Sequence, residues 1–383
     1  MRNLRLAYIT EYDADDVHNW SGLGYFIARA LEQQGFHVEK IGNLNVSPLH
    51  RLGGTVKKIA HRLEGKRYLP ERATSRALDF AAQIRRHPGF SSADIVFSPG
   101  SIPISFLDCP QPIVFYTDAT FAGMLGFYPG FSNLCRESIR DGNGLEQSAL
   151  ARSQLAIYSS NWAARSAIEH YRVEPRKIKI VPFGANLEEA PTIDEVRRMV
   201  STRETSICKL LFVGVDWERK GGDTAVEIAG ELNRRGIPTE LSIAGCTPPH
   251  RLPAFVKVHG FLSKASPKDL ETIHRLFAEA HFLILPTRAD ASPLVINEAC
   301  SYGLPVLVSN VGGVSDLVRE EHNGKTFLPS VPVTAYADYL AGIWSRPEKY
   351  HDLALSAYDE FQNRLSWQAV GKVLRTLLEE ACP

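Results

Sequence analysis

The sequence lacks an excess of either charge and lacks any long apolar run. Its 383 residues include 43 Lys and Arg against 43 Asp and Glu, so no net field favours nucleic acid or a charged surface. No apolar run reaches the roughly 18 residues of a membrane-spanning helix, and the opening MRNLRLAYIT predicts a strand rather than a signal peptide. We therefore expect a cytoplasmic protein that binds no nucleic acid.

The sequence also lacks the motifs of several common sites. None of its six cysteines forms a Cys-x-x-Cys pair, and their wide scatter fits neither a zinc site nor a disulfide framework. No Gly-x-Gly-x-x-Gly follows a predicted strand, which argues against a dinucleotide oxidoreductase. The Asp-x-Asp string at 13–15 is interpreted as a polar loop rather than a divalent-metal site. Reduced thiols, no metal and no cofactor are therefore expected.

Short apolar runs alternate with helix-period segments along the chain. This alternation predicts α/β domains with mainly parallel sheets and helices on both faces. We predict two Rossmann-like domains, 1–185 and 186–365, joined by a polar linker at 184–206, with a terminal helix at 366–380 that returns to the first domain. The predicted strands are 4–10, 37–41, 94–98, 113–117, 155–159, 178–181, 209–214, 240–244, 256–259, 282–285, 306–309 and 325–328. The other predicted helices are 23–34, 74–86, 144–151, 161–170, 223–235, 267–280, 293–302, 333–344 and 350–362.

A basic strand-to-helix loop opens the second half. An apolar strand ends at Gly214, a helix begins near Gly222, and Arg219 and Lys220 lie between them. Open α/β sheets bind ligands at such loops. A diphosphate could be held here by the bidentate fork of Arg219 and the point charge of Lys220. The alternative is a solvated basic turn.

A second strand-to-helix loop predicts an anion site at a helix start. Ser292 has the residue type of an N-cap, and Pro293 that of a first helical residue. The amides of Leu294 and Val295 are then expected to point out of the helix end, where anions bind.

Two carboxylates are spaced eight positions apart across the same loop. Asp290 precedes the helix and Glu298 lies in its second turn, so both can face one cleft. Carboxylates suit sugars because they accept hydrogen bonds from neighbouring hydroxyls. The alternative is an ordinary turn aspartate and an exposed helical glutamate.

These segments together resemble the family-4 retaining glycosyltransferases with the GT-B fold. The acidic-x7-Glu pattern of that family is present as Asp290 and Glu298, and Lys220-Gly221 is similar to its phosphate loop. A segment of the type G-x-P-V-x-x-S-x-x-G-G follows at 303–313. The segments 159–171, 181–188 and 366–379 extend the resemblance over most of the chain.

The resemblance implies a fold and a reaction. It implies two Rossmann-like domains that face a central cleft, with an acceptor-side domain at 1–185 and a nucleotide-sugar donor domain at 186–365. It implies transfer of a hexose from a UDP-, GDP- or ADP-sugar to a sugar, lipid or small-molecule acceptor, with retention and without a metal. The alternatives are a GT-B epimerase or phosphorylase that acts on sugar phosphates, and a non-catalytic nucleotide-sugar-binding subunit.

The resemblance also implies roles for individual residues. Arg219 and Lys220 are expected to neutralise the diphosphate, while Asp290, which stands where the family usually has Glu, is expected to bind the donor sugar. Glu298 is expected to bind the donor ribose. The expected catalytic residues are Arg219, Lys220 and Asp290; the expected donor-binding residues are Gly22, Gly24, Ser292, Leu294, Val295 and Glu298; and the acceptor-side candidates are His18, Tyr116 and Asp118.

The segment 51–87 is locally basic. It contains ten Lys or Arg against three Asp or Glu. Such an amphipathic stretch is either a solvated helical face or a surface that makes a peripheral contact with anionic lipid.

Overall fold

The computed structural model describes residues 4–382, which fall into two compact units. Unit 1 contains the residues up to Pro182 together with those from Trp367 onwards, and unit 2 is Phe183–Ser366. The division lies a few residues before the predicted boundary at 185. Residues 1–3 of the predicted first domain lie outside the described residues.

Each unit is built on a parallel sheet of six strands. The strand order is β2-β1-β3-β4-β5-β6 in unit 1 and β12-β11-β10-β7-β8-β9 in unit 2. All twelve predicted strands are present with small shifts of their ends, which confirms two Rossmann-like α/β units. The strands are β1 Arg5–Ile9, β2 His37–Ile41, β3 Ile95–Ser98, β4 Ile113–Thr117, β5 Leu155–Tyr158, β6 Ile178–Ile180, β7 Cys208–Val213, β8 Thr239–Ala244, β9 Val256–Gly260, β10 Phe282–Leu285, β11 Val306–Ser309 and β12 Gly324–Phe327.

The helices include every predicted one. The helix predicted at 144–151 begins earlier, and four helices were not predicted, at Pro48–Leu63, Phe121–Met124, Ile193–Thr202 and Trp217–Lys220. The helices are α1 Leu23–Gln33, α2 Pro48–Leu63, α3 Thr74–Arg86, α4 Phe121–Met124, α5 Arg136–Arg152, α6 Asn161–His170, α7 Ile193–Thr202, α8 Trp217–Lys220, α9 Gly222–Arg234, α10 Pro267–Glu279, α11 Leu294–Ser301, α12 Val333–Trp344, α13 Pro347–Glu360 and α14 Trp367–Ala381.

The predicted linker at 184–206 is wrong, because α7 occupies its centre. A capping box between Thr192 and Glu195 starts this helix, since each residue satisfies a backbone or side-chain group of the other. Val196 and Val200 are buried in the core of unit 2. The other positions are largely polar, which is why the segment has the composition of a linker.

Sheet order fixes where each unit can bind a ligand. In unit 1 the chain goes from β1 to one neighbour, β2, and then crosses to the other, β3. In unit 2, β7 is flanked in the same way by β8 and β10. Open α/β sheets bind ligands at the carboxyl ends of the strands beside such a reversal.

The terminal helix α14 packs on α1 within unit 1, as predicted. The Arg375 guanidinium donates a hydrogen bond to the Gln34 carbonyl over 2.7 Å. All six cysteines are free thiols. Over residues 4–382, no helix combines the length and the apolarity needed to cross a bilayer.

A buried histidine makes the stability of unit 2 depend on pH. His281 is 2% exposed, and its Nδ1 accepts a hydrogen bond from the Lys209 amide over 3.0 Å. Burial lowers the pKa of His281 from 6.5 to about 4. Between these values the unfolded chain binds a proton that the folded chain does not, so the free energy of unfolding falls as the pH drops through this range, by about 3 kcal/mol in total.

We expect His281→Asn to remove this pH dependence, because the amide oxygen can accept the same bond and does not titrate. Urea unfolding at neutral and at acidic pH compares the two proteins. The same loss of stability in both would assign the effect to other groups.

Candidate functional site

The predicted donor site lies at the reversal point of the second sheet. Gly214 follows β7, and Pro286 follows β10, the neighbouring strand. The two loops touch, since a Cβ placed on Gly221 would lie well inside van der Waals contact with the Pro286 carbonyl. Residues 65 positions apart in sequence are thereby brought together.

Arg219 and Lys220 lie in the one-turn helix α8 rather than in a loop as predicted. Asp216 starts this turn, because its Oδ1 accepts the Arg219 amide over 3.0 Å. Gly221 ends it in the left-handed conformation, with φ +81°. The Trp217 indole donates to Asp223 in the next helix over 3.1 Å and fixes the turn against α9.

The structure brings the three predicted catalytic residues together. The Lys220 ammonium forms an ion pair with Asp290 Oδ2, and Arg219 Nη1 lies 3.6 Å from the same oxygen. Arg219 also donates to the Ala289 carbonyl over 2.8 Å, and its Nε lies 3.5 Å from Asp216. Each cation therefore has a carboxylate partner in this structure, and the binding of a diphosphate by Arg219 and Lys220 stays a prediction.

Glu298 is buried, which excludes the alternative of an exposed helical glutamate. It is 6% exposed on α11, and its Oε1 accepts a hydrogen bond from the Lys264 ammonium over 2.5 Å. Lys264 also donates to the Asn186 carbonyl over 3.1 Å. The sequence analysis missed Lys264, whose only signal is its place shortly after β9.

An apolar cavity of about 120 Å³ lies between Glu298 and the residues at the end of β7. Gly214 lines this cavity together with Glu298, and a Cβ on Gly214 would lie 2.8 Å from Lys220 Cγ. The Lys220 side chain therefore packs against Gly214, next to the cavity that contains Glu298. The apolar lining is Val213, Val215, Ala244, Phe261, Leu262, Ile273, Leu276 and Phe277.

The start of α11 differs from the prediction by one residue. Pro293 is the N-cap and has extended backbone angles, so Ser292 is not the N-cap and Pro293 is not helical. The Ser292 hydroxyl is buried without a hydrogen-bond partner. The amides of Leu294 and Val295 come first in the helix and have no intrahelical acceptor. They remain the predicted anion-binding amides.

Unit 1 has its own cavity, of about 250 Å³, at the reversal point of the first sheet. Asp118, which follows β4, lines it together with Glu11, Arg72 and Glu146, which the sequence analysis missed. Burial raises the pKa of Glu11 and of Glu146. Their hydrogen-bond donors are Arg76 over 2.9 Å and Ser101 over 2.8 Å. Nothing in the local sequence singles out Glu146, because it lies inside α5.

The predicted glycine loop borders this cavity. Gly22 is the N-cap of α1 with φ +83°. A Cβ on Gly24 would lie 2.7 Å from the Tyr12 hydroxyl, and Tyr12 and Trp20 both line the cavity. A contact of Gly22 and Gly24 with the donor stays a prediction.

Two acceptor-side candidates lie elsewhere. Tyr116 is fully buried, and its hydroxyl donates to the Pro182 carbonyl over 2.8 Å, so the structure corrects its role to a core residue. Tyr116 is buried because both faces of β4 are covered. His18 is exposed and does not line the cavity.

Comparison with known proteins gives a partial match in sequence. Residues 208–346 match the family described as Glycosyl transferases group 1. A D-inositol 3-phosphate glycosyltransferase of Geodermatophilus obscurus is 25% identical over 213 residues, which are 52% of this chain and 46% of that protein. The chain thus spans about half the length of the curated relatives it matches.

Comparison with solved structures covers nearly the whole chain. A sucrose-phosphate synthase of Thermosynechococcus elongatus has a TM-score of 0.69 at 16% identity, with 98% of both chains covered. HepE of Anabaena, in complex with UDP and glucose, has a TM-score of 0.64 at 13% identity, with 98% of this chain and 99% of that chain covered. Identities this low show the fold alone, and that fold is GT-B, as the sequence predicts.

Proposed function

We propose that this protein is a retaining hexosyltransferase that uses a nucleoside-diphosphate sugar, because residues 208–346 match the family of group 1 glycosyl transferases. The observation that carries the proposal is the ion pair of Lys220 with Asp290 next to Gly214, a residue that lines the cavity containing buried Glu298. Cations that can bind phosphate and carboxylates that can bind sugar hydroxyls then lie together at the reversal point of the second sheet. Assignment to family 4 stays a prediction.

When the donor binds, its diphosphate replaces a carboxylate as the partner of the cations in unit 2. The diphosphate takes the place of Asp290 beside Lys220 and Arg219, because it offers more charge and several acceptor oxygens. Asp290 is then available to the hydroxyls of the transferred sugar. The ribose hydroxyls donate to Glu298, and the base lies in the apolar cavity beside Phe261. UDP is the first nucleotide to test, since HepE binds UDP, and GDP and ADP are the alternatives.

The chemistry requires stabilisation of the leaving group. Departure of the nucleoside diphosphate builds negative charge on phosphate while the sugar becomes cationic, and fixed cations and amides stabilise that state. The departing phosphate oxygen accepts the proton of the acceptor hydroxyl on the same face of the sugar, so configuration is retained. Arg219 and Lys220 supply the positive charge that a divalent metal supplies in other transferases.

The acceptor is assigned to the cavity of unit 1. Its lining carboxylates, Glu11, Asp118 and Glu146, accept hydrogen bonds from hydroxyl groups. Arg72 adds donors at the same cavity. A hydroxyl-rich acceptor, either a free sugar or the sugar part of a larger molecule, fits this lining.

Incubation with UDP-, GDP- and ADP-sugars tests the proposal against its alternatives. Release of nucleoside diphosphate that depends on an added acceptor, with an unchanged anomeric configuration in the product, supports retaining transfer. Turnover that requires inorganic phosphate indicates a phosphorylase. Binding of the donor without turnover with any acceptor indicates a non-catalytic subunit.

We expect the transferase activity to resist chelation. EDTA should change the rate by less than about twofold, because the leaving group is neutralised by side chains rather than by a metal. The assay compares chelator-treated protein with the same protein after magnesium is added back. Complete loss of activity that magnesium restores would contradict the metal-free mechanism.

We expect Glu298→Gln to weaken donor binding more than it slows the chemical step. The amide keeps an oxygen for Lys264 but loses the charge that strengthens the bonds from two ribose hydroxyls, so KM should rise by about 10- to 100-fold with kcat changed by only a few fold. Glu271→Gln, an exposed residue of α10, is the matched control. An unchanged KM in a folded Glu298→Gln protein would remove Glu298 from the donor site.

A further inference from the structure

The apolar residues of α2 point into solvent rather than into the protein. Only Gly54 of this 16-residue helix is buried. Large exposed hydrophobic side chains are rare as a contiguous group on soluble proteins, and they mark interaction surfaces. The apolar stripe, as we call these residues, consists of Leu49, Leu52, Val56, Ile59 and Leu63, which are 81%, 65%, 58%, 59% and 86% exposed.

The spacing of the stripe places it on one face of the helix. Its members alternate at intervals of three and four residues, so with 3.6 residues per turn they form a single row. The usual amphipathic helix buries such a row. In α2 the orientation is reversed.

The opposite face of α2 is held against unit 1 by specific contacts. A Cβ on Gly54 would lie 3.0 Å from Pro70, so the helix approaches that residue closely. The Lys57 ammonium pairs with Glu137 over 2.5 Å, and the His61 ring stacks on Tyr68 with centroids 5.8 Å apart. These contacts fix the rotation of the helix, and the outward direction of the stripe follows from them.

The positive charge of α2 indicates which kind of partner the apolar stripe would contact. The helix contains four Lys or Arg and no acidic residue. Arg51, Lys58 and Arg62 are spaced by seven and four positions, so they form a basic row along one side of the stripe. Contacts between proteins are depleted in lysine, whereas helices that lie in a bilayer interface combine an apolar face with Lys and Arg.

We propose that α2 docks this protein on an anionic membrane surface. The helix lies in the plane of the interface, with the apolar stripe at the boundary of the acyl chains and the basic row among the phosphate headgroups. The sequence-based alternative of a solvated helical face does not account for five exposed apolar side chains in one row. The docking is peripheral and reversible, because one short helix supplies all of the buried area.

Vesicle cosedimentation of the full chain tests the proposal without donor or acceptor, so its outcome is independent of the proposed transferase activity. We expect binding to vesicles of equimolar phosphatidylcholine and phosphatidylglycerol, weaker binding to phosphatidylcholine alone, and a decrease with added salt. A stripe variant, Leu52→Ser with Val56→Ser and Ile59→Ser, should bind roughly 100-fold more weakly.

A basic-row variant, Arg51→Gln with Lys58→Gln and Arg62→Gln, should lose about fivefold in affinity per charge removed. The control carries Arg165→Gln with Ile168→Ser, an exposed basic and an exposed apolar residue on α6, and should bind as the wild type does. Thermal melts establish that each variant is folded, as expected for changes at exposed positions.

Three results would overturn the proposal. The first is no binding of the wild type to anionic vesicles, and the second is equal binding by the wild type and a folded stripe variant. The third is a wild-type dimer in sedimentation equilibrium that the stripe variant dissociates, without any vesicle binding. That result would assign the stripe to a second copy of the chain.

Discussion

Lys220→Ala is expected to lower kcat by about 100- to 1,000-fold, the loss typical of removing one fixed group that stabilises developing charge. The Lys220 ammonium forms an ion pair with Asp290, whereas Lys264, the lysine that lines the cavity, is paired with Glu298. KM for the donor should rise less than kcat falls, because the charge on the phosphate grows as the bond breaks. Steady-state kinetics with the preferred nucleotide sugar measure both constants.

Two variants make the result specific. Lys268→Ala removes an exposed lysine of α10 in the same unit and should leave the kinetics unchanged. Asp290→Asn keeps both cations but removes their carboxylate partner. If Lys220 served only to hold Asp290, Lys220→Ala and Asp290→Asn would show the same kinetic loss. Unchanged kinetics in folded Lys220→Ala would remove Lys220 from the mechanism.

Gly221→Ala is expected to cost about 3 kcal/mol of stability or more, from left-handed strain of about 1 to 2 kcal/mol and from overpacking. The residue has φ +81°, and an added Cβ would overlap the Pro286 carbonyl, which is backbone and cannot rotate away. The overlap occurs where the loops after β7 and β10 meet. Activity should therefore fall together with stability.

Alanine substitutions at two other glycines of unit 2 separate the cost of backbone strain from the cost of overpacking, as measured by urea unfolding. Gly236 has φ +78° with open space around it, so Gly236→Ala should show the conformational cost alone. Gly230 lies inside α9 with its nearest neighbour at an ordinary 3.6 Å, so alanine there should be neutral or stabilising. A Gly221→Ala protein no less stable than Gly236→Ala would contradict the close approach to Pro286.

The central strands could be predicted because they are buried on both faces. The sequence of β10, FLIL, is a continuous apolar run, and all four of its residues are buried. A parallel sheet covered by helices produces such runs without alternation. Helix α7 could not be separated from a linker on the same grounds, since only Val196 and Val200 of its ten residues are buried.

The candidate site was predictable in its members but not in their contacts. The spacing of Asp290 and Glu298 indicated a pair of carboxylates, and Glu298 proves to be buried. Its partner Lys264 lies 34 positions away on another loop, and no local pattern links the two residues. The ion pair between Lys220 and Asp290 depends in the same way on which strands are neighbours.

The directions in which some side chains point also could not be predicted from the sequence. The sequence of β4, IVFYT, does not indicate that Tyr116 faces the core, because both faces of the strand are covered. For α2 the apolar period was readable, but an apolar row normally faces inward. Only the contacts of Gly54 and His61 with unit 1 establish that this row faces outward.

In the proposed mechanism, unit 2 holds a nucleoside diphosphate between the basic turn and Glu298. Isothermal titration of UDP, GDP and ADP into the wild type, Lys220→Ala and Lys268→Ala tests it directly. We expect one of the three nucleotides to bind the wild type and Lys268→Ala alike, and to bind Lys220→Ala about tenfold or more weakly, because one charge-assisted contact is lost. Equal binding to all three proteins, or no binding of any nucleotide to the wild type, would contradict it.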